Sequence, residues 1–172
     1  MEEVIYNKIG TDYNETRCAD PQIAKQIFQS LGIDFGQVLD LGCGTGNYSI
    51  ALEEKGLEVT GIDPSEKMLT VARQKSQSVR WKIGTAEKIP IEDEIFDGVF
   101  GNLTMHHWDN FEKSFEEIFR VIKKNRSIVF FTSTPEQMRG YWLNHYFPKM
   151  LKESIHQMPS FETISALSLI HI

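Results

Sequence analysis

Apolar positions first recur at helical spacing in Ile23, Ala24, Ile27, Phe28 and Leu31, behind Asp20 as N-cap and Pro21 at the first helical position; Gly32 closes that segment. Val38-Leu39-Asp40-Leu41 is a short apolar run that enters a glycine loop, and residues Tyr48 to Lys55 read as a helix ending at Gly56. Leu57 to Ile62 reads as a second strand, and Asp63-Pro64-Ser65-Glu66 opens a helix with Met68, Leu69 and Ala72 on one face. Val79 to Ile83, Phe96 to Gly101 and Ser127 to Thr132 are three further strand candidates. The last is reached through a helix bearing Phe111, Phe115, Ile118, Phe119 and Ile122. Strand alternates with helix, which predicts an α/β fold: a Rossmann-like parallel sheet with right-handed crossovers and helices on both faces. Ligands of such sheets bind beyond the C-terminal strand ends, where the strand order switches.

Composition narrows the chemistry. The 172 residues are 41% hydrophobic and 24% charged, the profile of one globular domain rather than a disordered or fibrous chain. A net charge of −6 argues against sequence-independent nucleic-acid binding, which draws its energy from Lys and Arg on phosphates, and favours a small-molecule partner. Cys18 and Cys43 are too few for a disulfide framework, and no stretch suggests a signal peptide or membrane span; the expected compartment is the cytoplasm.

Asp40-Leu41-Gly42-Cys43-Gly44-Thr45-Gly46 lies between a strand and a helix, where exposed amides and small residues let a ligand approach closely, although plain tight turns show the same pattern. The dinucleotide fingerprint places its third glycine one position later, where this chain has Asn47. Asp40 would repel a pyrophosphate and attract an ammonium such as that of S-adenosylmethionine (SAM); its alternative reading is a carboxylate that caps loop amides. Asp63, seventeen positions after Gly46, stands where nucleotide-binding sheets keep an acid for ribose hydroxyls, and it could also cap the helix that follows.

Taken together these residues resemble the class I SAM-dependent methyltransferases, in particular the branch of ubiquinone and menaquinone biosynthesis. Val38 to Gly46 is similar to that family's first motif, Val59-Thr60-Gly61-Ile62-Asp63-Pro64-Ser65 to its second, and Gly84-Thr85-Ala86-Glu87-Lys88-Ile89-Pro90 to its third. Phe96-Asp97-Gly98-Val99-Phe100 with Leu103, His106 and His107 resembles the fourth, and Arg120-Val121-Ile122-Lys123 the helix end before the fifth strand. The resemblance implies SAM as cofactor. It sets Asp40, Gly42, Cys43, Gly44, Thr45 and Gly46 around the methionine part, Asp63 on the ribose, Pro64 and Met68 at the adenine edge, and Thr85, Ala86 and Glu87 on the adenine ring. Asn102 would lie near the sulfonium, and Tyr13 would close over the cofactor. The chain departs from the family at Thr85, where an Asp is usual, and at Lys123-Lys124-Asn125-Arg126, where a Lys-Pro-Gly-Gly turn is usual; Asn tolerates the left-handed conformation that turn needs.

The methyl group of SAM already has a good leaving group, so the chemistry asks chiefly for alignment and exclusion of water. His106 or His107 is the candidate base for an oxygen or nitrogen acceptor, against a purely structural reading of the pair. No metal site is expected, since Cys and His do not cluster at zinc spacing. Tyr141, Trp142, His145, Tyr146, Phe147, Met150 and Leu151 form an aromatic stretch that reads equally as the wall of an apolar acceptor pocket or as a core helix kinked at Pro148. Two other functions fit the same fold: an NAD(P)-dependent oxidoreductase, and a SAM-binding protein without turnover. The family's sheet has seven strands, and the last two are missing here, so residues 1–166 are expected to be a methyltransferase domain incomplete by ~80 residues at its C-terminus. Residues 167–172, Leu-Ser-Leu-Ile-His-Ile, read as translated adapter sequence, a non-native tail.

Overall fold

Asp20 accepts the amides of Gln22 and Ile23 at 2.8 and 3.2 Å and so starts helix α1, Pro21–Leu31, which ends on Gly32 in the left-handed conformation (φ 68°). This is the first element of a computed structural model that describes residues 18–169. There follow β1 (Gln37–Leu41), α2 (Asn47–Glu53), β2 (Glu58–Asp63), α3 (Glu66–Lys75), β3 (Arg80–Ile83) and β4 (Phe96–Asn102). A 3-10 turn, Met105–His107, leads to α4 (Phe111–Val121) and β5 (Ile122–Phe131).

The five strands form one sheet in the order β3-β2-β1-β4-β5, parallel throughout. The chain winds outward from β1 to β3, then returns to the other side of β1 with β4, so the switch in direction falls between β1 and β4. Both faces are covered. Val38 packs with Ala24, Ile27, Leu31, Leu52 and Val59 on the α1–α2 face, whereas Leu39 and Leu41 pack with Ile62, Val99, Ile118 and Val121 on the α4 face. By the alternation of a strand, Asp40 points to the same side as Val38, toward α2.

Three boundaries differ from expectation. Ile122 belongs to β5 rather than to the preceding helix, because α4 ends at Val121 and Phe96 already pairs with Ile122. The strand therefore starts five residues before Ser127; Asn125 takes φ 58° within it, and the register against β4 shifts between Phe96 and Gly98. The aromatic stretch is not a kinked core helix. It divides into α5 (Pro135–Arg139), α6 (Leu143–Tyr146) and α7 (Pro148–Gln157), with Pro148 at the first position of a new helix, where its missing N–H does no harm. Trp142 and Tyr146 are 63% and 67% exposed, and Tyr141 and Phe147 are also exposed.

Helix α7 packs against the 3-10 turn after β4. Helix α8, Phe161–Leu169, runs across position 167 without a break, and Leu167 is buried with Met105 and Phe115. Among the described residues, no helix is long and apolar enough to cross a membrane.

Candidate functional site

The C-terminal ends of β1, β2 and β4 bring most of the sequence-predicted residues to one place. Gly42, Gly44 and Gly46 all have positive φ (76°, 55° and 78°), so the loop needs residues that tolerate the left-handed region. Each glycine faces something different. A Cβ at Gly42 would lie 1.9 Å from Thr104 Oγ1, and one at Gly46 would lie 2.3 Å from the Trp81 ring, whereas a Cβ at Gly44 would meet nothing within 4 Å. Gly42 and Gly46 are thus small because the protein packs on them. Gly44 faces open space.

Most of the loop amides are not available to a ligand, contrary to the exposed amides anticipated above. Gly42 and Cys43 donate to Ile62 O at 2.8 and 3.0 Å, Gly46 donates to Cys43 O at 2.9 Å, and Gly44 donates to Asp63 Oδ2 at 2.8 Å. A pyrophosphate needs such donors, and here the loop has turned four of them inward.

Behind the loop stand two buried carboxyls. Asp40, 2% exposed, accepts from Ser49 Oγ at 2.6 Å; burial, opposed by that bond and assisted by repulsion from Asp63, pushes its carboxyl up to about 7. Asp63 is also raised by burial, against the bonds it accepts from Ser65 N (2.8 Å) and Gly44 N. Asp63 does not cap the next helix directly: the N-cap is Ser65, whose hydroxyl accepts from Met68 N, and Asp63 braces Ser65 from one step behind. The Cys43 thiol, raised first by burial and then by Asp40 and Asp63, stays protonated.

Residues farther along complete the surroundings. Pro64 is exposed, whereas Met68 is buried at 3%. Thr85 and Lys88 exchange backbone hydrogen bonds in a tight turn, with Ala86 buried in the core beneath it. Glu87 Oε1 accepts from the amides of Asp109 and Asn110 at 2.9 and 3.3 Å, tying this turn to the start of α4. Asn102 ends β4 opposite Phe131, and its Oδ1 is buried without a hydrogen-bond partner. His106 Nδ1 is likewise orphaned; burial, then His107, lowers the ring to about 4, and burial also lowers His107. The two rings lie 3.8 Å apart. Tyr13 lies outside the described residues. No group of His, Cys, Asp and Glu among the described residues could hold a metal ion.

The pattern of the sequence did not reveal four supporting residues. Ser49 bonds Asp40, Thr104 packs on Gly42, Trp81 packs on Gly46 and Gly61, and Lys75 donates to Thr45 Oγ1 and Asn47 Oδ1 at 3.1 and 2.7 Å. Each meets its partner only through the fold, so no local spacing announces it.

A Rossmann-like parallel sheet with a glycine turn after β1 and acids near the ends of β1 and β2 has the architecture that nucleotide-binding α/β folds share. The match to known families agrees. Residues 39–130 match the family described as "Methyltransferase domain", and the chain belongs to that family, the SAM-dependent methyltransferases. It is 32% identical over 177 residues to YqeM of Bacillus subtilis, classed as a methyltransferase, covering 98% of this chain and 71% of YqeM. Among solved structures it resembles one assigned as a methyltransferase of an antibiotic biosynthesis pathway in Anabaena variabilis, with TM-score 0.79, 34% identity and coverage of 90% of this chain and 62% of that one. It also shares its fold with phosphoethanolamine N-methyltransferase 2 of Haemonchus contortus in complex with SAM, at TM-score 0.72 and 24% identity, covering 87% of this chain and 36% of that protein.

Proposed function

We propose that this chain binds SAM at the ends of β1, β2 and β4 and directs its methyl group to a small-molecule acceptor. The observation that carries the reading is the loop of residues 42–46, whose amides are bonded inward while Gly44 stays open beside Asp40 and Asp63. Two buried carboxyls behind an open glycine suit a cation and a diol better than a phosphate. The residues present fit the cofactor: Asn102 Oδ1 is an acceptor without a partner, and Gly44 leaves open the space a side chain would fill.

In this reading Asp40 attracts the ammonium of the methionine part, with Gly42 to Gly46 shaping the turn around it. Asp63 accepts from the ribose hydroxyls with the lone pairs left over from Ser65 and Gly44. Pro64, Met68, Thr85, Ala86 and Glu87 border the adenine, Glu87 while also holding the start of α4. When bound, the cofactor supplies an activated methyl group; the protein's own part is to align the acceptor with it and exclude water. His106 is poorly suited to be a strong base, because burial holds it near 4. It is well suited to remain neutral and accept a hydrogen bond.

Isothermal titration of the chain with SAM, S-adenosylhomocysteine and NADH tests the proposal. Heat from the first two and none from NADH is expected. Binding of NADH alone would overturn it.

A further inference from the structure

We propose that Lys75 and Trp81 are positioning residues for the cofactor: from the junction of α3 and β3 they lock Gly46, and so hold the turn of residues 42–46 in its binding shape before a ligand arrives. The inference rests on the SAM reading and names residues that act through the turn rather than on the cofactor.

One indole accounts for two glycines on different elements. Trp81 stands opposite Gly61 in the register of β2 and β3, and a Cβ at Gly61 would lie 2.6 Å from Cζ3 of its ring. A Cβ at Gly46 would press on Cη2 of the same ring. The ring therefore crosses β2 over Gly61 and ends on the last glycine of the turn. Its Nε1 donates to Ser76 O at 3.1 Å, which fixes the plane in which it lies. Ser76 closes α3 directly after Lys75. Lys75 Nζ in turn donates to Thr45 Oγ1 at 3.1 Å and Asn47 Oδ1 at 2.7 Å, the neighbours of Gly46 on either side. Ring and ammonium thus meet at one residue from one short stretch of chain, residues 75–81.

Gly46 is the residue that needs such a lock. It begins α2 as its N-cap at φ 78° and has no side chain with which to cap the helix. Glycine explores more backbone conformations than any other residue, so an unheld Gly46 would carry the turn through many shapes and lose that freedom on binding. A turn ordered beforehand spares the ligand this cost. Knitting α3 to the sheet would be a purely structural role for both residues, and it has a different consequence: losing either would lower stability and leave the affinity of the folded protein unchanged.

S-adenosylhomocysteine is titrated calorimetrically into the full chain and into Lys75→Met, Lys75→Arg and Trp81→Phe, and amide hydrogen exchange at Gly44 and Gly46 is followed by NMR with and without it. Lys75→Met keeps an apolar stem and removes the ammonium. It is expected to weaken binding about fivefold through a less favourable entropy, while the ligand-free melting temperature moves by less than about 2 °C. Gly44 and Gly46 should exchange faster in this variant without ligand, and at the wild-type rate once it is saturated. Lys75→Arg, which keeps charged donors, should recover most of the affinity. Trp81→Phe, which shortens the ring and removes Nε1, should speed exchange at Gly46 as well; should it fail to fold, Lys75→Met decides alone. Unchanged affinity or unchanged exchange in Lys75→Met overturns the lock, and so does a loss of affinity matched by a fall in melting temperature. Failure of the unsubstituted chain to bind S-adenosylhomocysteine would instead remove the SAM reading, and the positioning role with it, even where exchange shows the turn to be held.

Discussion

Asp40 carries the clearest pH signature at the residue scale. A carboxyl at about 7 in the folded state stands well above the ~3.9 of an unfolded Asp, so the folded chain holds an extra proton between those values. The stability it contributes is complete below the unfolded value and is lost as pH rises toward 7. Ligand-free protein should therefore melt at a lower temperature at pH 8 than at pH 6 on account of this group, and Asp40→Asn should flatten that fall in thermal melts. Cofactor binding runs the other way, because an ammonium prefers the ionised carboxylate. Affinity for SAM should rise about fivefold from pH 6 to pH 7, following the ionised fraction of a group titrating near 7, and calorimetry of Asp40→Asn should show no such rise. The glycines divide in the same way. Gly44→Ala meets no atoms and costs only the left-handed penalty of about 1–2 kcal/mol, so it should fold and lose cofactor affinity. Gly61→Ala would press on the Trp81 ring and Cys43 Sγ, at 2.6 and 2.9 Å, and should destabilise outright. Trp81→Leu should partly rescue it, with a coupling of about 1 kcal/mol in denaturant titrations.

At the scale of elements, Arg120 on α4 clamps the loop between β3 and β4. Arg120 donates to Ile89 O at 2.9 Å, Ile91 O at 2.7 Å, Asp93 at 2.7 Å and Glu117, and Glu117 in turn accepts Ile89 N at 2.9 Å. Arg120→Ala leaves two carbonyls and a half-buried carboxylate without their donor, a loss of about 2 kcal/mol that urea unfolding should register. Since the same stretch of chain carries Ala86 and Glu87, cofactor affinity should weaken along with it. This clamp also marks the limit of what the sequence shows. Strand, glycine loop and helix around Gly44 were legible because apolar runs, caps and turn residues act over a few positions, as Asp20, Pro21 and Gly32 do at α1. The acid at Asp63 was legible by its spacing from the loop, but its bond to Gly44 N was not, nor were Ser49, Thr104 and Trp81, whose partners come from other elements. The aromatic stretch from Tyr141 stayed open between a pocket wall and a core helix for a related reason: helical spacing reports which residues share a face, not whether anything covers that face, and Trp142 and Tyr146 are exposed.

For the molecule as a whole, the sheet order β3-β2-β1-β4-β5 gathers Asp40, Asp63 and Asn102 from three neighbouring strands, so the proposed cofactor site would link ligand binding to global stability. A ligand that contacts β1, β2 and β4 together binds only the assembled sheet, and the unfolded chain offers it nothing. At a free concentration one hundred times its Kd it then adds about 2.7 kcal/mol to folding. For a domain of this size each kcal/mol moves the melting temperature by roughly 2–4 °C, so saturating SAM should raise it by about 5–11 °C. NADH at the same concentration should leave it unmoved, because four of the loop amides are bonded inward and leave its pyrophosphate few donors, with Asp63 beside them. Differential scanning calorimetry of the chain with each ligand reads both outcomes at once. An equal rise with NADH would mean that the loop amides reopen on binding, and the selectivity argued from their hydrogen bonds would be lost.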